Sequence, residues 1–261
     1  MCLALVGAAA SIPSGLPHSS ADFYLQAAAT WANAYIHGPE DGADTLNLYD
    51  VSGLAHFELF RALEHAESPG SLAVSQTDLI ADLKKQLDGA VNLAKVDPFD
   101  YGTDWAVSDS VTHGAGLSIM ASEYGFLTAD NTYAVYATRW LDAILGANAW
   151  GTSFIVGDGS VFPQCMQHQV ANLIGSLNGS PPVLKGALVE GPNSAGSTGL
   201  LDGMRTCPVD GSDSFAQFNG NGAVYIDNVQ SFATVEPAID LTAPSPLAFA
   251  WIVAGAPTAT R

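Results

Sequence analysis

Apolar residues recur every three or four positions through most of the first 145 residues, the spacing of one face of an amphipathic helix. This spacing predicts helices over residues 21–36, 46–63, 75–94, 110–124 and 131–145, and a further one after Pro237. In the first helix the predicted buried face consists of Phe23, Ala27, Trp31 and Ala34. In the second it consists of Leu46, Val51, Leu54, Phe57 and Leu63.

Several residues mark the ends and the outer faces of these helices. Asp44 or Thr45 can cap the second helix, because a short polar side chain accepts a hydrogen bond from the first free N–H groups. Glu58 and Arg61 are three residues apart and are predicted to pair on its solvent side. Gly146 is the expected stop of the helix over 131–145.

The pattern changes between Trp150 and Ser231, where Gly, Pro, Asn and Ser dominate. This stretch is much longer than an ordinary connection, and long ordered loops usually carry function. No alternating pattern typical of strands is convincing anywhere. The prediction is therefore an all-α ring of helices joined in antiparallel pairs, with long irregular loops.

Composition and charge exclude several classes of protein. The chain has 26 acidic and 8 basic residues and a net charge of −18, which repels phosphate backbones and argues against nucleic-acid binding. No apolar run approaches the roughly 20 residues needed to span a membrane. An acidic, lysine-poor surface fits a protein that acts on an uncharged polymer. The length of 261 residues allows one substantial core and does not require two domains.

The N-terminus and the cysteines give weaker signals about location. Residues 1–10 are apolar but lack a basic leader, so they are interpreted as the end of an amphipathic helix rather than as a convincing signal peptide. Cys2, Cys165 and Cys207 are too few for a disulfide framework. Cys165 and Cys207 lie in long loops, where they can form a bridge outside the cell or remain buried thiols.

Glu236 is the candidate for acid–base chemistry. It stands at the end of the loop region, just before an apolar helix, where a carboxyl can be open to substrate and partly desolvated. Partial desolvation raises a carboxyl pKa and suits a proton donor. The alternative is that Glu236 lies in the first helical turn and only complements the helix dipole.

The loop motifs, taken together, resemble glycoside hydrolase family 9, the inverting cellulases. The segments that carry the resemblance are residues 44–55, 145–157, 163–169, 186–193 and 223–240, together with the apolar residues that follow. The resemblance extends from about Ala21 to the C-terminus. It corresponds to the second half of that family's catalytic domain.

The resemblance implies a barrel of six helical hairpins, the (α/α)6 fold, of which this chain supplies about the last three. Residues 1–261 are then a partial catalytic domain whose N-terminal half is missing. In the family, the catalytic base belongs to an Asp-Ala-Gly-Asp motif near the start of the domain. Residues 41–44 have the same Asp-x-x-Asp spacing, but they run directly into a later family element and are not assigned as the base.

The resemblance also implies sugar-binding residues. The family has a His-His-Arg segment beside the cleaved bond, and this chain has Gln167, His168 and Gln169 there. The amides can still bond hydroxyl groups, but the positive charge is lost. The alternative for His168 is a structural histidine bonded to backbone.

Three aromatic residues complete the predicted site. Trp105 matches a tryptophan before a helix in the family and is predicted to stack on a sugar ring, with core packing as the alternative. Tyr225 and Phe232 flank the acid and are predicted to line the cleft; Phe232 stands where the family commonly has Tyr. Asp227 and Asp240 are predicted to be structural.

The expected function is hydrolysis of β-1,4-glucosidic bonds in cellulose or related β-glucans, with inversion and with Glu236 as general acid. The isolated chain is expected to be inactive without the Asp base, and the full-length enzyme is expected to be secreted. No cofactor is expected, although an Asp-rich turn at residues 210–213 is a candidate for calcium. The alternatives are a non-catalytic carbohydrate-binding remnant and a related exo-acting glycosidase. The sequence does not decide which β-glucan is bound, or whether action is endo or exo.

Overall fold

The computed structural model describes residues 1–9, 11–41, 45–47, 49–64, 71–174, 184–196, 199 and 203–255. Six helices come first: α1 (Cys2–Gly7), α2 (Ala21–Ile36), α3 (Ser52–Glu64), α4 (Gln76–Ala94), α5 (Ser110–Thr128) and α6 (Ala134–Ile144). Four more lie in or after the loop region: α7 (Gln169–Ile174), α8 (Phe232–Val235), α9 (Ile239–Thr242) and α10 (Pro244–Val253). The described residues contain isolated antiparallel bridges but no extended strand.

Helix α5 is the centre of the fold. Every residue from Ser110 to Gly125 is buried, and α3, α4, α6 and α10 all pack against the helix. Small residues allow this close packing: a Cβ added to Gly116 would lie 1.7 Å from the carbonyl oxygen of Leu46. A helix that is buried on all sides is typical of the centre of a core, and the other helices of this fold are arranged around it.

The start of helix α4 and its buried face both follow from the local sequence. Ser75 accepts a hydrogen bond from the N–H of Asp78 and the Asp78 carboxylate accepts the N–H of Ser75, which is a capping box. Leu79, Leu83 and Leu87 recur at intervals of four and are fully buried. The cap and the stripe together explain why the predicted helix over 75–94 agrees with the structure.

The remaining helix predictions are confirmed in position, with two corrections. The segment over 21–36 is helical as predicted, but Tyr24, Leu25, Ala28 and Ala29 form its buried face. Phe23 and Trp31, which were predicted to be buried, are 43% and 71% exposed. This outcome follows from the positions of α1 and α3, which pack against the opposite side of the apolar stripe.

The second correction concerns α3, which begins at Ser52 rather than at Leu46; Val51, which belongs to its predicted buried face, is 51% exposed. Asn47 accepts the N–H groups of Tyr49 and Asp50, and Asp50 accepts the N–H of Ser52 at 2.6 Å. These side chains hold a turn in place of a first helical turn. Asp44, one of the two predicted caps, lies outside the described residues.

Smaller predictions about helix ends and faces also hold. Glu58 and Arg61 approach within 3.8 Å on α3. Gly146 follows α6 with φ of +120°, a conformation that favours glycine. The first residues form helix α1, as the apolar pattern predicted.

The loop region is held together by a disulfide and short backbone pairings. Cys165 and Cys207 are bonded, with their Cα atoms 5.3 Å apart, which decides the alternative left open by the sequence. Antiparallel bridges join Ile155 to Leu188, Val189 to Pro237 and Asn193 to Val224. Together with the hydrogen bond from the N–H of Gln167 to the carbonyl of Val235, these pairings bring the segments around residues 167, 190 and 236 next to one another.

Candidate active site

Glu236 follows α8 directly, in extended backbone, with its N–H donated to the carbonyl of Phe232 at 3.0 Å. Its own carbonyl accepts the N–H of Glu190 at 3.1 Å, and the neighbouring Pro237 pairs with Val189. The backbone at this position is therefore fixed from both sides. The side chain is only partly buried, so it keeps access to solvent.

The surroundings of Glu236 favour its protonated form. Burial raises the pKa of its carboxyl, and the negative charge of Asp240 raises that pKa further. The charge of His168 acts in the opposite direction and lowers the same pKa. A carboxyl that is reachable by solvent and retains its proton above the ordinary range is suited to general acid catalysis.

His168 belongs to the segment that lies next to the acid. The N–H of Gln167 donates to the carbonyl of Val235 at 3.2 Å, which joins this segment to the residue before Glu236. The Nδ1 atom of His168 accepts the N–H of Ala171 at 3.3 Å. In the neutral ring the proton therefore resides on Nε2, which leaves a donor for a ligand hydroxyl.

The two glutamines beside His168 differ in their availability. Gln167 is only 7% exposed, and its amide nitrogen donates to the carbonyl of Gly199 at 2.9 Å. Gln167 thus holds two loops together through one of its two amide N–H groups, and its contact with substrate stays a prediction. Gln169 is exposed at the start of α7 and remains available.

Asp227 holds the segment that carries His168 in place through hydrogen bonds. Its carboxylate accepts the N–H groups of Gln164 at 2.9 Å and Cys165 at 2.8 Å. Burial raises the pKa of Asp227 to about 6, and its two backbone hydrogen bonds oppose the rise. The prediction that Asp227 is structural agrees with these contacts.

The three predicted aromatic contacts have different environments. Tyr225 is fully buried against Trp150, Phe154 and Phe215, so the prediction that it lines the cleft is wrong: these rings cover it. Phe232 is 41% exposed at the start of α8.

Trp105 is partly buried, and its ring lies 4.6 Å from that of Tyr101. It lines a cavity of about 220 Å³ together with Tyr101, Trp150 and Phe218. An aromatic-lined cavity of this size is compatible with stacking on a sugar ring and with packing alone, so the role of Trp105 stays a prediction.

Glu190 is a residue that sequence reasoning missed. Burial, and after it the charges of Asp109, Glu236 and Asp240, raise the pKa of its carboxyl to about 8. A hydrogen bond from Ser108 opposes this rise. The available signal was its position inside the motif over 186–193, but the proximity to Glu236 depends on a pairing that periodicity does not reveal.

The described residues contain no group of three or more His, Cys, Asp or Glu side chains arranged to hold a metal ion. In the candidate calcium turn, Asp210 accepts the N–H of Ser212 and Asp213 accepts that of Phe215, so each carboxylate caps its own turn. Calcium at this turn stays a prediction. None of the described helices is long and apolar enough to cross a membrane.

The chain belongs to glycosyl hydrolase family 9, whose family model matches residues 18–249. This family is the one that the loop motifs predicted. A separate comparison with curated proteins finds no match to this chain.

Solved structures of the family share the fold. An endoglucanase from the termite Nasutitermes takasagoensis superimposes with a TM-score of 0.62 at 19% identity, over 89% of this chain and 47% of that one. A thermostable endoglucanase from Alicyclobacillus acidocaldarius gives 0.60 at 19% identity, over 91% and 42%. The cellulase Cel9M of C. cellulolyticum in complex with cellobiose gives 0.57 at 18% identity, over 97% and 57%.

The chain thus spans about half the length of these structures, and such low identities establish the fold alone. The prediction of an all-α fold equivalent to about half of an (α/α)6 barrel is confirmed. The roles of individual site residues are not decided by this likeness.

Proposed function

We propose that this chain carries the acid half of an inverting glycosidase site that hydrolyses β-1,4-glucosidic bonds in cellulose or a related β-glucan. The observation that carries the proposal is Glu236, a solvent-accessible carboxyl whose pKa is raised by burial, beside the His168 segment. In this reaction Glu236 donates its proton to the departing glycosidic oxygen. Related structures support the substrate class, since one of them is a cellulase in complex with cellobiose.

The catalytic base belongs to the part of the domain that this chain does not cover. Inversion needs a second carboxylate roughly 6.5–9.5 Å from the acid, so that a water molecule fits on the opposite face of the sugar. The family's Asp-Ala-Gly-Asp motif supplies this base. Residues 1–261 therefore act as a partial catalytic domain, and hydrolysis requires the missing N-terminal half.

His168, Gln169, Trp105 and Phe232 are the sugar contacts in this proposal. The Nε2 donor of His168 bonds a hydroxyl group near the cleaved linkage, and Gln169 supplies an exposed amide. Trp105 and Phe232 offer aromatic surface to the apolar face of the rings. The disulfide between Cys165 and Cys207 supports secretion of the complete enzyme, because such bonds persist in oxidising compartments.

The test uses the chain completed by a family 9 N-terminal half with its Asp-Ala-Gly-Asp motif, fused before residue 1. We expect soluble cellulose to be cut by the completed protein and not by residues 1–261 alone. Glu236→Gln keeps the shape but removes the proton, so we expect kcat to fall by roughly 10²–10⁴-fold. Reducing ends released per unit time measure the reaction.

The matched control is Glu58→Gln, which removes a carboxyl paired with Arg61 on α3 and should leave hydrolysis unchanged. Hydrolysis that survives Glu236→Gln at the unmodified rate would refute the assignment of the acid.

The same assay separates the alternatives. A carbohydrate-binding remnant retains cello-oligosaccharides but shows no turnover after completion. An exo-acting enzyme releases short products without a rapid drop in viscosity, whereas an endo-acting enzyme lowers viscosity first.

A further inference from the structure

A second polar cavity lies beside helix α4, and its described lining residues are different from Glu236, His168 and their neighbours. It has a volume of about 440 Å³ and is lined by residues of α4, of the segment before α5 and of the segment around Asp41. Small-molecule pockets span roughly 300–1,000 Å³, so the cavity has room for a ligand rather than for a single water molecule. Lys85 and Leu93 line it and are exposed, so solvent reaches it.

Gln86 provides a fixed hydrogen-bond acceptor at this cavity. The residue is 3% exposed, and its Nε2 atom donates to Oδ2 of Asp82 at 2.9 Å. Nε2 of His56 lies 2.8 Å from the same oxygen and holds Asp82 in place. Because a carboxylate only accepts hydrogen bonds, the amide nitrogen faces Asp82 and the Oε1 atom of Gln86 remains for another group. That oxygen is buried and has no hydrogen-bond partner among the described residues.

Thr103 adds a hydroxyl group from the segment before α5. It is 8% exposed, and its buried Oγ1 atom likewise has no partner in the described part of the chain. Other polar groups at the cavity are already engaged: the Thr45 hydroxyl lies 3.3 Å from Nδ1 of His113, and the Lys85 ammonium pairs with Asp41. A buried polar group without a partner is costly, so two such groups at one cavity indicate a ligand that supplies the partners.

The chemistry of these groups selects a neutral ligand that is rich in hydroxyl groups. The Gln86 Oε1 atom accepts a hydrogen bond, the Thr103 hydroxyl both donates and accepts, and neither group is charged. The net charge of −18 disfavours an anion, and the Lys85 ammonium at the cavity disfavours a cation. Leu93 and Val107 supply apolar surface for the C–H groups of the same ligand.

We propose that this cavity is a second carbohydrate site, which binds one or two sugar units either as a free sugar or as part of a polysaccharide chain. The Gln86 amide oxygen accepts one ligand hydroxyl, and the Thr103 hydroxyl forms a hydrogen bond with another. The inference goes beyond the proposed function, because binding here does not require Glu236 to act as an acid.

The test is an NMR titration of the full chain at low salt with D-glucose and, separately, with cellotetraose. The methyl signals of Leu93 and Val107 report on the cavity. We expect saturable shifts of both signals, with a Kd of about 1–10 mM for a ligand as small as glucose. An equal Kd for the two sugars identifies a free sugar as the ligand, and a lower Kd for cellotetraose identifies a unit of a chain. The absence of a saturable shift with either sugar would overturn the proposal, as would a saturable shift with calcium chloride alone.

Gly89→Phe fills the cavity from α4, because a Cβ at this glycine meets no atom within 4 Å. We expect sugar binding to be lost in this variant. Asn92→Phe is the matched control, since Asn92 is exposed on the same helix and is not one of the described lining residues. This control should bind both sugars as the unmodified chain does. Binding that survives Gly89→Phe would place the sugar elsewhere and refute the site.

Thr103→Val separates a binding role from a structural one. Valine keeps the shape and removes a hydroxyl that has no partner among the described residues, so a structural role alone predicts no change in Kd. We expect Kd to rise by about 2–12-fold, the effect of one hydrogen bond, with an unchanged midpoint of urea unfolding. An unchanged Kd would count against the proposal. This variant also provides the test if Gly89→Phe does not fold.

The titration and the hydrolysis assay fail independently of each other. Glu236→Gln should bind sugar at this cavity as the unmodified chain does. If the cavity binds sugar while Glu236→Gln remains active in the completed enzyme, the proposed function fails and this inference stands. If Glu236→Gln is inactive but the cavity binds no sugar, the proposed function stands and this inference fails.

Discussion

The carboxyls of the loop region differ in what surrounds them, and this determines what each can do. Glu236 is partly exposed and has a raised pKa, which suits proton donation. Asp227 is partly buried and its carboxylate accepts two backbone N–H groups, which suits an anchor. Residue type alone does not distinguish these roles, because both are acidic residues in the same motif over 223–240.

The raised pKa of Asp227 predicts that its contribution to the stability of the fold falls as pH rises. Its folded pKa of about 6 is higher than the ordinary value of 3.8, so the folded state disfavours the charged form. The ionised carboxyl therefore lowers the free energy of unfolding. This destabilisation is absent below the pKa of the unfolded state and grows as pH rises to about 6. Above that pH it is constant, at about 3 kcal/mol for this difference in pKa. Asp227→Asn keeps an acceptor oxygen and removes the titration.

We therefore expect the free energy of unfolding of Asp227→Asn, relative to the unmodified chain, to rise by up to about 3 kcal/mol between about pH 4 and about pH 7. Urea unfolding at the two pH values measures this difference. Asp210→Asn is the control: hydrogen bonds from Ser212 lower the Asp210 pKa, so its contribution to stability is lost as pH falls and has the opposite sign. Equal pH dependence in Asp227→Asn and the unmodified chain would contradict the prediction.

Helices were predictable from the sequence where local signals agree with one another. The capping box at Ser75 and the leucines of α4 identify both its start and its buried face. In α2 the bounds were correct but the face was wrong, because apolar residues such as Phe23 and Leu25 lie on both sides of the helix. Tertiary packing against α1 and α3 selects between the two faces, and periodicity does not contain that information.

The candidate site was predictable only in part, for a related reason. The motifs located Glu236 and His168, which the pairing of Gln167 with Val235 brings onto neighbouring segments. They did not reveal that Tyr225 is covered by Trp150, Phe154 and Phe215, or that Glu190 pairs with Glu236. Long loops take their shape from non-local contacts such as the bridge between residues 189 and 237, and no regular spacing in the sequence encodes such contacts.

The close contact between α5 and Leu46 predicts that a methyl group added at Gly116 strongly lowers the free energy of unfolding. Gly116→Ala directs a Cβ into the carbonyl oxygen of Leu46, at 1.7 Å if nothing moves. Since backbone must shift to relieve this overlap, we expect a loss of at least about 1–3 kcal/mol in the free energy of unfolding.

Gly89→Ala in α4 is the matched control, because a Cβ there meets no atom within 4 Å. Alanine has the higher helix propensity, so this variant should gain roughly 0.5–1 kcal/mol. Chemical denaturation of both variants checks the pair of predictions. A Gly116→Ala chain as stable as the unmodified one would mean that α5 and the Leu46 segment are not in close contact.

Considered as a whole, the molecule has an apolar groove on the side formed by α1, α2 and α3. The groove has a volume of about 630 Å³ and is lined in part by Trp31, Tyr49 and Val51. These three side chains are 71%, 77% and 51% exposed. Contiguous exposed apolar surface of this kind usually marks an interface. Under the proposal of a partial domain, the remaining hairpins of the barrel cover this groove.

This proposal predicts that residues 1–261 associate when expressed alone, and that salt promotes the association. The net charge of −18 makes copies repel one another at low ionic strength, whereas at about 0.15 M salt the screening length falls to about 8 Å and the apolar attraction dominates. Sedimentation or size-exclusion chromatography at increasing salt measures the effect. Trp31→Lys should weaken the association, and Val209→Lys, at a loop position that is 86% exposed outside the groove, should not. A chain that stays monomeric at high concentration and high salt would indicate that the groove needs no cover, which would weaken the case for a missing half.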